Sequence, residues 1–157
     1  MTKKIVLVSD NHSNHKVLKD IYNQHLDADY FLHCGDSEMS IQDIRPYISV
    51  KGNNDLGNNF PESLLLDIAN KRIFILHGHR YINIRSIDGL IYKALELKAD
   101  ICMFGHTHRF ADFKDSGIRF INPGSCNNSR DLEGPSYAVI YIDDNDIRVV
   151  KHLIKKD

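Results

Sequence analysis

Five short apolar runs in this chain each stop at a segment rich in metal-binding side chains, and no other feature limits the fold as tightly. Ile5-Val6-Leu7-Val8 stops at Ser9-Asp10-Asn11-His12, residues 28–32 at His33-Cys34-Gly35-Asp36, and residues 47–50 run into Lys51-Gly52-Asn53-Asn54-Asp55. Residues 72–76 stop at His77-Gly78-His79, and Ile101-Cys102-Met103-Phe104 at Gly105-His106-Thr107-His108. Continuous apolar runs of this length, rich in β-branched residues, are expected of strands buried on both faces. Between the first two, Val17, Leu18, Ile21, Tyr22 and Leu26 recur at helical spacing, with Ser13 or Asn14 as N-cap. Ser40-Ile41-Gln42-Asp43 resembles a capping box opening a short helix that Pro46 stops. The first third therefore spells β-α-β-α-β, the order of a parallel sheet with helical crossovers.

The later chain changes character. Residues 64–68 and 72–76 flank Asn70-Lys71 as a hairpin, and residues 86–98 carry Ile87, Leu90, Ile91, Ala94 and Leu95 on one helical face. A second hairpin is expected around Asp115-Ser116-Gly117, followed by a turn at Asn122-Pro123-Gly124-Ser125. A third is expected around Asp143-Asp144-Asn145-Asp146, which lacks the spacing and closing Glu of a calcium loop. The expectation is an α/β chain of two mixed sheets packed together, flanked by helices, as one domain over 1–157.

The 157 residues suffice for a real core. A formal net charge of -1 gives no reason to expect a nucleic-acid patch, and Lys151, Lys155 and Lys156 read as a solvated end. No apolar run approaches the ~20 residues that span a bilayer. Met1-Thr2-Lys3-Lys4 leads straight into the first strand, without the apolar stretch of a signal peptide, so the expected location is cytoplasmic. Cys34, Cys102 and Cys126 are odd in number and form no C-x-x-C pair; they read as buried reduced thiols.

Sites in open α/β sheets form beyond the carboxyl ends of strands. Those ends here present Asp10 and His12, Asp36, Asn53, His77, and His106 and His108. Gly35, Gly52 and Gly105 stand immediately before Asp36, Asn53 and His106, allowing sharp exits and close loop packing. Singly, Asp10 also reads as an N-cap, Asn53 as a turn residue, and His77 or His106 as core histidines. Together they point to a metal site. His15, His25 and His152 fall on expected surface elements, and His33 reads as structural. Four His, two Asp and one Asn are too many for one tetrahedral zinc and too rich in nitrogen for Ca²⁺ or Mg²⁺. They suit two transition ions ~3.5–4 Å apart, a pair that lowers the pKa of a bridging water and clamps phosphate oxygens.

Taken in order, Asp10-Asn11-His12, Gly35-Asp36, Gly52-Asn53-Asn54-Asp55, His77-Gly78-His79 and Gly105-His106-Thr107-His108 resemble the motifs of calcineurin-like metallophosphoesterases. The resemblance runs over residues 6–125. The length and the Asn122-Pro123-Gly124-Ser125 turn are similar to the small bacterial and archaeal phosphodiesterase branch. The resemblance implies a four-layer α/β/β/α sandwich with a dinuclear site between the sheets. It implies that Asp10, His12 and His108 hold one ion, that Asn53, His77 and His106 hold the other, and that Asp36 bridges. It makes Mn²⁺ the expected metal, with Fe, Zn, Ni or Co as alternatives. The activity implied is hydrolysis of a small phosphate ester, a diester above all, by in-line attack of a metal-bridging hydroxide. His106 and His108 would then serve different ions.

One departure bears on the chemistry. Where many relatives carry His after the ligand Asn, this chain has Asn54, whose amide can donate a hydrogen bond but cannot protonate an alkoxide. That favours leaving groups that depart without a strong acid. His79 reads equally as a substitute acid or as a histidine outside the ligand set. Asp55 is expected to orient a ligand His. Specificity is assigned to the rim, residues 56–63, 80–86 and 126–135; a homo-oligomer pairing through sheet edges or through the exposed apolar groups of Phe60 or Tyr81 is a further expectation. The rival from another class is a scaffold, because a retromer subunit of the same branch uses this fold for protein binding. A metallo-β-lactamase-type hydrolase is set aside, since His106-Thr107-His108-Arg109-Phe110-Ala111 departs from H-x-H-x-D-H.

Overall fold

The computed structural model describes residues 1–57 and 59–155. Asn58 of the expected rim and Lys156 of the basic end lie outside the described residues. The order is β1 (Lys3–Val8), α1 (His15–Gln24), β2 (Tyr30–His33), α2 (Ile41–Ile44), β3 (Ile48–Ser49), β4 (Ser63–Ile68), β5 (Lys71–Leu76), α3 (Asp88–Glu96), β6 (Ile101–Met103), β7 (Phe110–Asp115), β8 (Ile118–Pro123), β9 (Ser136–Ile142) and β10 (Ile147–Leu153). One sheet runs β10-β9-β1-β2-β3 and the other β4-β5-β6-β8-β7. Within the first, β1, β2 and β3 are parallel; within the second, β5, β6 and β8 are. The five site loops thus leave the carboxyl ends of parallel strands.

Strand side chains alternate between faces, and here both faces are dry. Ile5 and Leu7 of β1 meet Ile73 and Ile75 of β5 in the core between the sheets. Val6 and Val8 point the other way, onto Val17, Leu18 and Ile21 of α1. Phe74 and Leu76 pack under Leu90 and Ala94 of α3. The result is the expected four-layer α/β/β/α sandwich.

Local chemistry sets the ends. Asn14 caps α1, its side chain accepting from the Val17 N–H at 3.2 Å, and Ser40 caps α2. Two-residue turns at Ala69-Asn70 and Ser116-Gly117 hold both residues at positive φ, as hairpins of this type require. The first turn therefore lies one residue earlier than Asn70-Lys71. The third expected helix is shorter than residues 86–98, because Asn83 and Ser86 form a bridge and Ser86 Oγ accepts from the Asp88 N–H.

Several surface expectations are corrected. His25 is buried, and its Nε2 lies 2.7 Å from the Tyr137 hydroxyl; His152 stacks on the same ring. Phe60 and Tyr81 are partly buried against the two outer cores. The fully exposed aliphatics are Leu56, Ile84 and Leu132. Lys151 pairs with Glu133 at 2.7 Å instead of standing free. All three cysteines are free and buried, as expected.

His33 is structural and sets a pH dependence. It is fully buried, with Nε2 2.8 Å from Asn11 Oδ1 and Nδ1 accepting the Gly35 N–H at 2.9 Å. Burial pushes it down to about 4, against the pull of Asp10 and Asp55. A folded value below the unfolded one means that His33 costs nothing above pH ~6.5 and opposes folding as pH falls from there toward 4. At pH 5 the loss is about 2 kcal/mol. Urea midpoints at pH 7 and pH 5 measure it, and His33→Gln, which keeps a donor toward Asn11, flattens the difference.

Candidate metal centre

Five of the seven predicted ligands sit in the left-handed region: Asp10 (φ 56°), His12 (41°), Asp36 (59°), His106 (72°) and His108 (60°). Asp and His tolerate this conformation better than most residues, and such strain gathers at functional sites. Here it turns the chain sharply enough for loops from both sheets to meet. Asp10 N–H donates to the Gly35 carbonyl, the His106 N–H donates to Asp10 Oδ2 at 3.2 Å, and the Gly105 N–H donates to the His77 carbonyl.

Two ligand-sized clusters result among the described residues, Asp10 with His12 and His108, and Asp10 with Asp36 and His77. In each, the ligand atoms lie within 4.8 Å of one another. Asp10 Oδ1 belongs to both: it stands 3.4 Å from His108 Nε2, 3.9 Å from His12 Nε2 and 3.8 Å from His77 Nε2. Asp36 Oδ2 is 3.2 Å from His77 Nε2. His106 lies outside these clusters, its ring 5.2 Å from that of His77, and Asn53 is exposed in the turn after Gly52.

The rear nitrogens show what the front ones are for. His77 Nδ1 donates to the Cys34 carbonyl at 2.8 Å, and His108 Nδ1 to the Asn128 carbonyl at 2.6 Å. His12 Nδ1 lies 2.9 Å from Glu38 Oε2. An acceptor behind Nδ1 fixes the tautomer that leaves the Nε2 lone pair forward, the arrangement that metal-binding histidines use. Asp10 Oδ1 and His77 Nε2 are buried with no hydrogen-bond partner. Buried polar atoms are rarely left so. Two unpaired donor atoms facing each other among imidazoles and carboxylates fit a divalent cation.

Charges tell the same story. Burial pushes the Asp10 carboxyl up, but the His108 and His77 imidazoles and the Ser9 hydroxyl outweigh it and leave it below the usual range. Asp36 is likewise opposed by burial yet held well below that range by His77 and Asn54. His108 is raised, first by Asp10. His77 is raised because Asp36 and Asp10 overcome its burial. The carboxylates stay ionised, ready for a cation.

The other candidates take different places. Asn54 turns its backbone N–H and its side-chain amide onto Asp36: the N–H reaches Oδ1 at 2.8 Å and Nδ2 reaches Oδ2 at 3.0 Å. His79 lies with its ring 5.4 Å from His77, its Nδ1 buried and unpartnered. Burial, then the neighbouring His77, pushes it below the ordinary histidine value. Asp55 is corrected: it orients no histidine, and its carboxylate accepts the backbone N–H groups of Asp36 (2.9 Å), Glu38 (2.8 Å) and Gly52 (2.7 Å). It therefore ties the loop after β2 to the loop after β3. Glu38 and the Asn128 carbonyl are supports that the sequence did not reveal. A second acid two residues past Asp36 was a signal for the first; a backbone carbonyl carries none.

The fold and these motifs have matches among known proteins. Residues 4–145 match the model of the calcineurin-like phosphoesterase superfamily domain. A probable metallophosphoesterase of Bacillus subtilis, YsnB, is 34% identical over 150 residues, covering 94% of this chain and 88% of that protein. A predicted phosphoesterase from Streptococcus pneumoniae superposes with a TM-score of 0.89 at 29% identity, covering 96% and 89% of the two chains. An archaeal phosphodiesterase (22% identical, TM-score 0.73, covering 95% and 99%) and Entamoeba histolytica Vps29 complexed with zinc (21%, 0.73, 95% and 98%) share the fold alone. On its sequence match and its fold, this chain belongs to the calcineurin-like phosphoesterase superfamily and is a metal-dependent phosphoesterase.

Proposed function

We propose that the protein is a phosphodiesterase with two divalent ions, Mn²⁺ first among them, acting in the cytoplasm as one domain over 1–157 on a small phosphate ester. The observation that carries the site is the convergence of the His12, His77 and His108 Nε2 atoms on the unpaired Asp10 Oδ1. Asp10, His12 and His108 would hold one ion and Asn53, His77 and His106 the other, with Asp36 shared between them; Asn54 sets the orientation of that carboxylate. Such a pair, when bound, supplies an activated water for in-line attack and neutralises charge on phosphoryl oxygens. The chain's own part is to keep Asp10 and Asp36 ionised, to hold the imidazoles in one tautomer, and to place His79 beside His77.

The diester preference rests on the missing acid. Asn54 cannot donate a proton and its amide is engaged with Asp36. Burial and the neighbouring His77 push His79 below the ordinary histidine value, which favours a hydrogen-bonding role over that of an acid. Aryl and nucleotide-like leaving groups need no strong acid. The likeness to Vps29 is compatible with a binding-only role and does not favour it.

Metal analysis of the purified protein, joined to a screen of chromogenic mono- and diesters across divalent ions, tests the proposal. Diester turnover should exceed monoester turnover well beyond parity; a ratio near one counts against the reading of Asn54. Asp36→Ala and Asn53→Ala should each abolish diester hydrolysis in Mn²⁺, and full activity in either would sink the ligand assignment. No turnover with any ion, together with stable capture of a protein partner, would point to the scaffold.

A further inference from the structure

Arg130 is exposed, yet its guanidinium has a defined seat. Nη1 donates to the Thr107 carbonyl at 3.4 Å, on the peptide between His106 and His108. Its own N–H donates to the His108 carbonyl at 2.9 Å. The segment carrying it is anchored on both sides. Ser125 Oγ donates to the Asp10 carbonyl at 2.7 Å and accepts the N–H groups of Asn127 and Asn128. Asp131 Oδ2 accepts the Phe110 N–H at 2.8 Å. The groups that seat Arg130 therefore also seat Asp10 and His108, which gives the preorganisation that recognition of a charged group needs.

This cation has no carboxylate partner among the described residues. Asp131 is committed to Phe110 and Glu133 to Lys151. A guanidinium carries five N–H donors, and one bond to Thr107 leaves most of them open. Arg80, beyond His79, is turned to Glu62, and Asn54 is uncharged and held by Asp36. A phosphodiester spreads one negative charge over two non-bridging oxygens, which a guanidinium fork matches bidentately.

We propose that Arg130 grips the non-bridging oxygens of the reacting phosphoryl group, supplying the positive charge that Asn54 does not. This rests on the phosphoesterase reading of the site and names a residue that touches the substrate. Its two contacts tie Arg130 to the loop that carries His108.

The test uses Arg130→Gln and Arg130→Lys in the metal-loaded full chain, with Lys114→Gln on the exposed part of β7 as control. Three readouts are taken: bound metal per chain, affinity for inorganic phosphate by calorimetry, and kcat/KM on a chromogenic diester. Arg130→Gln should keep its metal, bind phosphate at least about 10-fold more weakly, and lose about 10²–10³ in kcat/KM. Arg130→Lys should recover part of both losses, since it keeps the charge and lacks the fork. Unchanged phosphate affinity and kcat/KM in Arg130→Gln would overturn the proposal. So would loss of metal in that variant, which would make Arg130 a support of His108. If the wild-type chain turns over nothing with any ion, the enzymatic reading fails separately. Phosphate affinity then still decides: weakened by Arg130→Gln it upholds the contact, unaltered it overturns it.

Discussion

Asp10→Asn should lower diester turnover by at least about a thousandfold and remove at least one equivalent of bound metal, with the chain still folded. The size follows from position. Asp10 Oδ1 is fully buried, has no hydrogen-bond partner, and faces three imidazole Nε2 atoms at 3.4–3.9 Å. Asn preserves the shape; with its amide oxygen in the Oδ2 position it still accepts the His106 N–H, and the backbone bond from residue 10 to the Gly35 carbonyl persists. It removes the negative charge that balances a cation and, by its effect on His108, holds that imidazole in place. Metal content by plasma emission and diester kinetics measure the two losses together. Near wild-type turnover with full metal would show that the cluster is not the reaction centre.

Gly52→Ala should cost about 1–3 kcal/mol of stability and weaken metal binding by about 10–100-fold, although residue 52 is no ligand. A Cβ there would collide with Asp36 Oδ1 and the Asp36 N–H, and would stand 2.7 Å from the Asp36 carboxyl carbon. The obstructing atoms belong to backbone and to a carboxylate fixed by Asn54, so neither can swing aside. Asp36 would have to move out of reach of His77. Gly105→Ala acts on the other side of the site, with its Cβ overlapping the Ser9 hydroxyl and lying 2.9 Å from Asp10 Oδ2. Denaturant midpoints and metal titration of both variants check this; wild-type values in both would mean that the loops are not in close contact.

The two glycines also show how far the sequence could be read. A Gly before each ligand residue was visible as a pattern, and close loop packing was its expected meaning. Which atoms the missing Cβ would strike was not visible, because Gly52 and Asp36 are brought together by the pairing of β2 with β3 and by the Asp55 carboxylate that accepts from both. Asp55 makes the same point in the negative. Its type and position suggested a partner for histidine, yet its carboxylate meets three backbone N–H groups. Backbone donors carry no residue signature. His25 looked exposed on its helix, but the β9 strand more than a hundred residues later covers it.

The sequence by itself determined the layers and the edge where chemistry gathers. Apolar runs of strand length, helical faces between them, and ligand-type residues at the run ends are local properties, and parallel strands put their carboxyl ends on one side. Tertiary structure alone decided the tautomers of His77 and His108, the unpaired state of Asp10 Oδ1, the diversion of Asn54 to Asp36, and the seat of Arg130 on Thr107. Each depends on atoms from distant loops meeting within about 3–4 Å, and directional interactions of that range are settled only when both sheets are in contact.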